Sequence, residues 1–391
     1  MICSCIAWKV VIISCVVLQL TAVNGTLSKS DKKAKKAKQK DNSNVKSVFE
    51  RGLVEAQTQS ADILKEYYRY CEAERDKTVF KGKWNSKGYD IAKVFSKKFD
   101  LVSPVWLQVV SRPNNEFEIL GGHDIDSGWA IEVMQGRDNL MVPRVLFDKW
   151  SLKDYENLFS REEFMAKCAK VITSFIKKHN FAGITLELWN QMPTSMQMDA
   201  THFIIDLSEI LHKAEKSLTL IIPPLAVQPS SRVPQFTKEN FEELKSSVDY
   251  FNIMTYDYHM QSSVAGPISP IKWIEESITA ICPEDHEIDR AKILLGLNFY
   301  GIRFGEFSGA QPILGHDFVD ILKSNSPAVK WQPKDEEHLY LYKNSKNGEN
   351  LYLFYPSLLS IKKRIDLAKR LGTGIGIWEI GQGLDYFYDL L

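Results

Sequence analysis

From residue 101 onward, short apolar runs alternate with segments whose apolar residues recur every three or four positions. The apolar runs have the length of strands, and the recurring spacing is typical of amphipathic helices. The predicted strands span 101–110, 140–147, 181–189, 218–226, 248–258, 292–301 and 372–381. The predicted helices span 154–179, 199–216, 238–247, 271–281 and 357–371. Apolar strands separated by helices indicate a parallel sheet that is buried on both faces.

The number of strands points to a closed barrel. Seven strands are clear, and an eighth at the beginning would complete a (β/α)8 barrel. The candidate for it, 78–84, is short and contains few apolar residues. The alternation stops after residue 301, and 302–355 contain a helix-like piece and two alternating strands around an Asn-Gly turn signal. The predicted fold class is therefore α/β, a (β/α)8 TIM barrel with a small α+β insertion between strands 7 and 8.

The strand 181–189 carries the most informative pattern. Apolar side chains occupy every second position from Ile184 to Leu188. The other face ends in Glu187 and Trp189, and the alternation predicts that these two side chains point in the same direction. A carboxylate beside an indole at the carboxyl end of a barrel strand is a candidate for site chemistry.

The carboxyl ends of the other strands share one composition, which is rich in aromatic rings with a few charged groups and amides. The strand-end residues are Trp106, Gln108, Arg144, Phe147, Asp148, Glu187, Trp189, Asn190, Pro223, Pro224, Met254, Tyr256, Asp257, Tyr258, Asn298, Phe299, Tyr300, Trp378, Glu379 and Gln382. Rings that stack on the C–H faces of sugars, beside groups that hydrogen bond to hydroxyls, are typical of a saccharide cleft.

Four segments carry a resemblance to a known family. FAGITLELW, MTYDY, LLGLNFYG and GIGIWEIG, in this order, resemble the strands of family 18 glycoside hydrolases, the chitinases. The resemblance covers roughly 47–391. It implies a motif D-G-x-D-x-D-x-E on the first of these strands, whose last acid protonates the glycosidic oxygen. The acids of that motif fall on Ala182, Thr185, Glu187 and Trp189, so only Glu187 is an acid here.

The loss of these acids predicts that the chain has no catalytic residues for hydrolysis. An indole N–H does not titrate in a range useful for proton delivery. An active hydrolase that uses Glu187 and Asp257 as a carboxylate pair is the alternative. Otherwise Glu187 is a buried acid hydrogen bonded to Tyr256 or to other strand-end groups, and Trp189 either fills the dead site or stacks on a sugar.

The binding side of the family pattern is better preserved. The resemblance implies that Trp378 forms the floor under the central sugar and that Met254, Tyr256 and Asp257 line the pocket for the N-acetyl group. The predicted substrate-binding residues are Trp378, Tyr256, Asp257, Met254, Glu187, Trp189 and Trp106. Trp106, with Trp129, is placed on the rim, and the alternative for Trp378 is a core aromatic that caps the barrel. No Cys/His spacing suggests a metal site, and no cofactor is expected.

The resemblance also implies partners. Saccharides are the expected ligands, in particular amino sugars, oligosaccharides or a glycolipid such as lipopolysaccharide, which would be consistent with a role in innate immunity. One chitinase-like branch implies a stabilin-type scavenger receptor as a partner. A further interpretation is therefore a receptor-interacting scaffold whose sugar cleft is vestigial.

Composition and charge place the protein among ordinary globular chains. Apolar residues make up 44% and charged residues 25% of the 391 positions, and the formal net charge is zero. The charge is unevenly distributed, because residues 29–40 carry +6 and residues 41–391 carry −7. The folded part is mildly acidic, so a nucleic-acid partner is not expected.

The N-terminal 46 residues differ from the rest of the chain. Residues 1–25 contain Lys9, an apolar run from Val10 to Leu20 and small residues, which predict a secretory signal peptide, with an uncleaved anchor as the alternative. Residues 26–46 predict a basic flexible arm, either a solvated linker or a contact for anionic glycans or lipids. A secreted or lysosomal protein without a membrane span after cleavage is expected. The pairing of Cys71, Cys168 and Cys282 stays open.

Overall fold

The computed structural model describes residues 10–13, 46–66, 87–137, 140–225, 235–262, 264–283 and 287–391. The strands in these ranges are β1 (Val10–Ile13), β2 (Leu101–Ser103), β3 (Leu107–Arg112), β4 (Glu116–Leu120), β5 (Arg144–Phe147), β6 (Gly183–Glu187), β7 (Ser217–Ile222), β8 (Tyr250–Ile253), β9 (Ile293–Asn298), β10 (Gly301–Gly305), β11 (Gly309–Ile313), β12 (Ala328–Gln332), β13 (Glu337–Lys343), β14 (Asn350–Phe354) and β15 (Gly374–Trp378). The helices are α1 (Ser60–Glu66), α2 (Lys87–Val94), α3 (Ser127–Met134), α4 (Leu152–Phe159), α5 (Glu162–Lys178), α6 (Gln197–Lys213), α7 (Lys238–Leu244), α8 (Ile271–Ile281), α9 (Glu287–Arg290), α10 (Gly315–Asn325) and α11 (Leu358–Leu371).

The larger sheet is the predicted barrel. Its strand order is β2-β1-β15-β9-β8-β7-β6-β5-β3-β4, and the neighbours are parallel except for the β3–β4 hairpin. The ends meet because Val102 of β2 bridges Met141, just before β5. β2 and β3 are therefore two halves of the predicted strand 101–110, interrupted at residues 104–106. The (β/α)8 fold predicted from the alternation of strands and helices is confirmed.

The first barrel position is occupied by β1. Val10 is the register partner of Ile375 in β15, and Val11 is the partner of Leu101 in β2. The apolar run that predicts a signal peptide thus supplies this strand in the structure. A run of β-branched residues suits a parallel strand that is buried on both faces. The candidate first strand 78–84 lies outside the described residues, and cleavage of residues 1–25 stays a prediction.

The outer layer of helices buries one face of each amphipathic segment. In α5 the buried side chains recur at helical spacing, from Met165 through Cys168 and Ile172 to Ile176. Glutamates in its first turn and lysines in its last turn complement the helix dipole. The predicted helix 154–179 is interrupted after Phe159, so that α4 and α5 are separate helices.

The insertion forms a second, antiparallel sheet between β9 and β15. Its strand order is β11-β10-β14-β13-β12, with α10 between β11 and β12. The turn between β13 and β14 has Gly348 at φ 74°, which a glycine adopts without steric cost. The first and last strands of the insertion pair with each other, and Ile302 is the register partner of Phe354. This sheet is the predicted α+β insertion.

One face of the insertion packs next to the strand ends of the barrel. Phe304 and Phe354 lie in a buried cluster with Tyr256 and Tyr300, and Trp378 packs against that cluster. The insertion therefore forms a wall beside the end of β15.

Candidate functional site

The carboxylate at the end of β6 lies inside the barrel next to an arginine from β5. Arg144 is the register partner of Thr185, so Glu187 projects one step further along the same interior face. Arg144 Nε donates to Glu187 Oε2 at 2.6 Å, and Nη2 lies 2.5 Å from the same oxygen. Arg144 is 4% exposed and Glu187 is 8% exposed. The two residues form a buried ion pair whose charges compensate for each other's loss of water.

The hydrogen bonds of Glu187 use both of its oxygens as acceptors. Oε2 accepts from Arg144, and Oε1 accepts from Gln191 Nε2 at 3.3 Å. A general acid needs a proton on the carboxyl that points at the substrate. In this arrangement Arg144 and Gln191 direct their N–H groups at Glu187, so both oxygens of its carboxylate act as acceptors.

Trp189 turns away from the interior face, which corrects the expectation that it points in the same direction as Glu187. β6 ends at Glu187, and Leu188 has ψ −45°, outside the extended region, before a short 3-10 turn. The period-two alternation ends with the strand. The Trp189 indole is 2% exposed, donates from Nε1 to the carbonyl of Gln235 at 2.8 Å and packs edge-on against Phe236 at 5.0 Å. Both the N–H and the ring of Trp189 are therefore used in contacts within the protein.

The remaining positions of the family motif lie lower in the barrel wall. The Thr185 hydroxyl donates to the carbonyl of Val142 at 3.2 Å, and the side chain is fully buried. Ala182 precedes β6, and its backbone N–H donates to the carbonyl of Met141. Both residues hold β6 against its neighbours and bring no titratable group to the site.

Trp378 is the centre of the aromatic group at the end of β15. Its ring is half-buried and lies 6.2 Å from the ring of Tyr256, with an angle of 29° between the planes. Met254 packs against the same ring cluster. The guanidinium carbon of Arg144 lies 5.7 Å from the centroid of Trp378, within range of a cation–π interaction. The structure thus brings together three predicted binding residues and joins them to the Glu187 ion pair through Arg144.

Asp257 belongs to the same group. The Tyr300 hydroxyl donates a short hydrogen bond to Asp257 Oδ1. Burial raises the pKa of the Asp257 carboxyl above its usual value, and the hydrogen bond from Tyr300 offsets part of that rise. Its backbone has φ 61°, a left-handed conformation that Asp tolerates better than most residues. Asp257 is therefore a second acidic group near the ring cluster of Trp378, and its environment differs from that of Glu187.

Trp106 lies in the core, which corrects its predicted place on the rim. It is 1% exposed, and its indole N–H donates to the Tyr89 hydroxyl at 2.7 Å. Its ring packs against Trp129 and Phe181 at 5.7 and 6.0 Å. Trp129 is also buried, with its N–H on the carbonyl of Tyr89. The interruption between β2 and β3 directs Trp106 into this aromatic cluster rather than toward a ligand.

Three functional contacts were not predicted from the sequence. Arg144 is the first residue of β5, whereas the sequence pattern predicts it at the carboxyl end of that strand, and an arginine inside the apolar run LMVPRVLF signals a buried acidic partner. The carbonyl of Gln235 and the ring of Phe236 come from a distant loop and carry no local signal. The Tyr300 bond to Asp257 joins the segments that follow β9 and β8, and it depends on the pairing of these two strands.

Other candidate chemistry is limited in the described part of the chain. Across those residues, no group of three or more His, Cys, Asp or Glu side chains is arranged to hold a metal ion. Nor does any helix there have the length and apolar character needed to cross a membrane. The side chains of Cys168 and Cys282 are buried, whereas Cys71 lies outside the described residues.

Comparison with known proteins agrees with the barrel fold. Residues 148–383 match the Glycosyl hydrolases family 18 profile. A curated relative, Probable chitinase 2 of Drosophila melanogaster, is 22% identical over 271 residues, which cover 58% of this chain and 52% of the relative. The chain spans about half the length of the first curated relatives it matches.

Two solved structures illustrate the shared fold. A chitinase from Chromobacterium violaceum superposes with a TM-score of 0.68 at 17% identity, covering 79% of this chain and 95% of that one. A Cycas revoluta chitinase mutant in complex with (GlcNAc)4 gives a TM-score of 0.61 at 15% identity, covering 76% of this chain and 93% of that one. Because the family profile matches more than half of the residues, the chain belongs to glycosyl hydrolase family 18.

Proposed function

We propose that this chain is a chitinase-like protein that binds saccharides and does not hydrolyse them. The observation that carries the proposal is the state of β6. The position of the family's proton donor holds Trp189, whose N–H is used by Gln235, and the remaining acid accepts hydrogen bonds from Arg144. General acid help contributes about 10²–10⁴ to a rate, so its loss alone removes most hydrolytic activity.

Saccharide binding is supported by the half-buried Trp378 ring and its neighbours. Two members of this ring cluster contact polar groups, since Tyr300 donates to the Asp257 carboxyl and Met254 accepts from the Asn190 amide. A sugar unit stacked on Trp378 would have these two groups nearby for hydrogen bonding. The expected affinity is weak, in the micromolar range or poorer, because one stacking contact contributes only about 1 kcal/mol. Amino sugars, their oligomers and a glycolipid such as lipopolysaccharide are the ligand classes proposed.

We place the chain in the stabilin-interacting chitinase-like branch of the family, on the segments WNSKGYD, IMTYDY and IWEIGQGLDYFYDLL. This branch carries with it a stabilin-type scavenger receptor as a partner, and the barrel serves as its scaffold. Secretion or a lysosomal location is proposed from the apolar run after Lys9. Fractionation of expressing cells and N-terminal sequencing test this, and protein that stays in the cytosol and still begins at Met1 contradicts it.

The experiment for the binding proposal pairs a titration with a hydrolysis assay. Calorimetric titration with (GlcNAc)4 is expected to show saturable binding that Trp378→Ala weakens about two- to tenfold, the effect of one stacking contact. Trp331→Ala, on the outer strand β12 of the insertion, serves as the matched control and should bind as the wild type does.

In the same samples, fluorogenic N-acetylglucosamine oligomers should remain uncleaved. Turnover at rates typical of chitinases, abolished by both Glu187→Gln and Asp257→Asn in folded protein, would establish the carboxylate-pair hydrolase instead. An affinity that Trp378→Ala leaves unchanged would show that the cleft is elsewhere.

A further inference from the structure

A groove on the outside of the barrel, remote from the ring cluster of Trp378, lies between β4 and α5. It has a volume of about 720 Å³. Its floor is apolar, formed by Phe117 and Ile119 from the strand and by Val171 and Phe175 from the helix. Phe117 is held in place by stacking on Trp150, with the ring planes 8° apart. The floor is therefore preformed rather than dependent on a ligand.

One wall of the groove is an open sheet edge. β4 is the last strand at its end of the larger sheet, and within the described residues it pairs with β3 alone. Such an edge presents backbone N–H and C=O groups that an additional strand can pair with. Side chains at alternate positions of that strand would face the apolar floor.

The charges around the groove leave two cations in excess. Each carboxylate at its border already has a partner: Glu116 pairs with Lys167, Glu118 with Arg112 and Glu163 with Arg161. Lys170 and Lys178 are exposed and line the groove, and neither forms an ion pair within the described part of the chain. An occupant with negative charge would complement these two lysines.

The length of the groove sets the length of the occupant. Along α5, the lining residues recur at helical spacing from Glu163 to Lys178, a distance of about 22 Å at the rise of an α-helix. An extended chain advances about 3.4 Å per residue, so about six residues fill this length.

We propose that this groove binds an extended peptide segment of a partner protein, about six residues long, whose apolar residues alternate with acidic ones. The segment adds to the free edge of β4, places its apolar side chains on the floor and its carboxylates near Lys170 and Lys178. A second copy of this chain is a poorer occupant, because a twofold interface would set the same two lysines against their own copies. The proposal does not depend on saccharide binding.

The test uses a fluorescein-labelled six-residue peptide that alternates glutamate and valine, measured by fluorescence anisotropy against the full chain. Saturable binding that weakens with added salt is expected, because the attraction includes exposed charges. The double variant Lys170→Glu and Lys178→Glu should weaken binding about tenfold or more.

The control double variant is Lys153→Glu and Lys177→Glu, which changes the net charge by the same amount at exposed positions that do not line the groove. It should bind within about twofold of the wild type if local rather than overall charge matters. A second control peptide, with lysine in place of glutamate, should not bind.

Hydrogen exchange locates the peptide independently of affinity. Added peptide should slow exchange of backbone amides in 116–120, because new interstrand hydrogen bonds protect them. The proposal is overturned if no saturable binding occurs up to about 1 mM, or if both double variants lose affinity equally. It is also overturned if protection falls outside β4 and α5, or if anionic lipid vesicles bind this face and the peptide does not.

Discussion

The carboxyl ends of β6 and β15 belong to the same barrel, but their side chains make different kinds of contact. At the end of β6, the acid is tied to Arg144 and the indole of Trp189 is tied to Gln235. At the end of β15, the Trp378 ring is half-buried and contacts other rings, with Asp257 close by in the same cluster of strand ends. At the β6 end, both oxygens of the Glu187 carboxylate and the N–H of Trp189 are therefore paired within the protein.

The difference teaches how a buried acid at a strand end is accommodated once its neighbours change. A buried carboxylate without its usual neighbours needs a counter-charge, and Arg144 supplies one from the adjacent strand. The same guanidinium lies over the Trp378 ring, so the ion pair at the end of β6 also helps to position the ring at the end of β15. The proposed function rests on this contrast, in which the acid at β6 is engaged by Arg144 and the Trp378 ring at β15 is half-buried.

The largest expected effect comes from breaking the Arg144–Glu187 ion pair at the end of β6. Arg144→Ala or Glu187→Ala leaves a buried charge without a partner and should reduce the free energy of unfolding by about 3–5 kcal/mol. The double variant Arg144→Met with Glu187→Leu removes both charges and should recover much of that loss. Urea unfolding followed by circular dichroism measures all three. Single variants that cost less than about 1 kcal/mol would show that the pair is solvated.

A smaller effect is expected from removing the hydrogen bond of Trp189, the second contact at the end of β6. Trp189→Phe keeps a ring against Phe236 but removes the donor to the carbonyl of Gln235, which should cost about 1–3 kcal/mol of unfolding free energy. Trp331→Phe in β12 is the matched control, because Trp331 has no such hydrogen bond within the described residues. Equal losses in both variants, again from urea unfolding, would mean that the hydrogen bond does not hold Trp189.

The smallest expected effect is on the pH dependence of stability, and it comes from Asp257 in the group of residues around Trp378. Burial raises the pKa of Asp257 in the folded state above the unfolded value of about 3.9. The folded protein therefore binds more protons between these two values, and the contribution of Asp257 to stability falls as pH rises through the folded pKa. Asp257→Asn should remove this component, so that its stability relative to the wild type improves from pH 4 toward pH 7.

Urea unfolding at a series of pH values measures the trend, with the exposed Asp206→Asn in α6 as the control. A wild type and an Asp257→Asn variant whose stabilities run parallel over this range would show that the Asp257 carboxyl is ionised in the same way in both states.

Much of the barrel could be predicted from period and spacing alone. The runs 181–189 and 292–301 give β6 and β9, and 271–281 gives α8 with its bounds unchanged. Local patterns carry this information because each element must bury its own apolar face. The ends of the elements were less predictable. Residue 189 continues the alternation in the sequence, but the chain has already left the strand at Leu188.

The site was less predictable than the fold, because its contacts join residues far apart in the chain. Trp378, Tyr256 and Asp257 could be named from strand ends and family motifs. The role of Arg144 depends on the register between β5 and β6, and that of Gln235 depends on a loop. The first barrel strand shows the same limit. A run such as VVII is suited both to a signal peptide and to a buried parallel strand, so hydrophobicity alone does not distinguish them.

The pairing of β10 with β14 bears on how this barrel can be remodelled. The chain leaves the barrel at Gly301 and returns just after Phe354, and these two points are adjacent because the first and last strands of the insertion are neighbours. The insertion therefore joins the barrel chain at one place, and a buried ion pair between Glu337 of β13 and Arg364 of α11 fastens it a second time. A replacement insertion that keeps Glu337 would change the depth of this wall beside Trp378, while β15 keeps its pairing with β9.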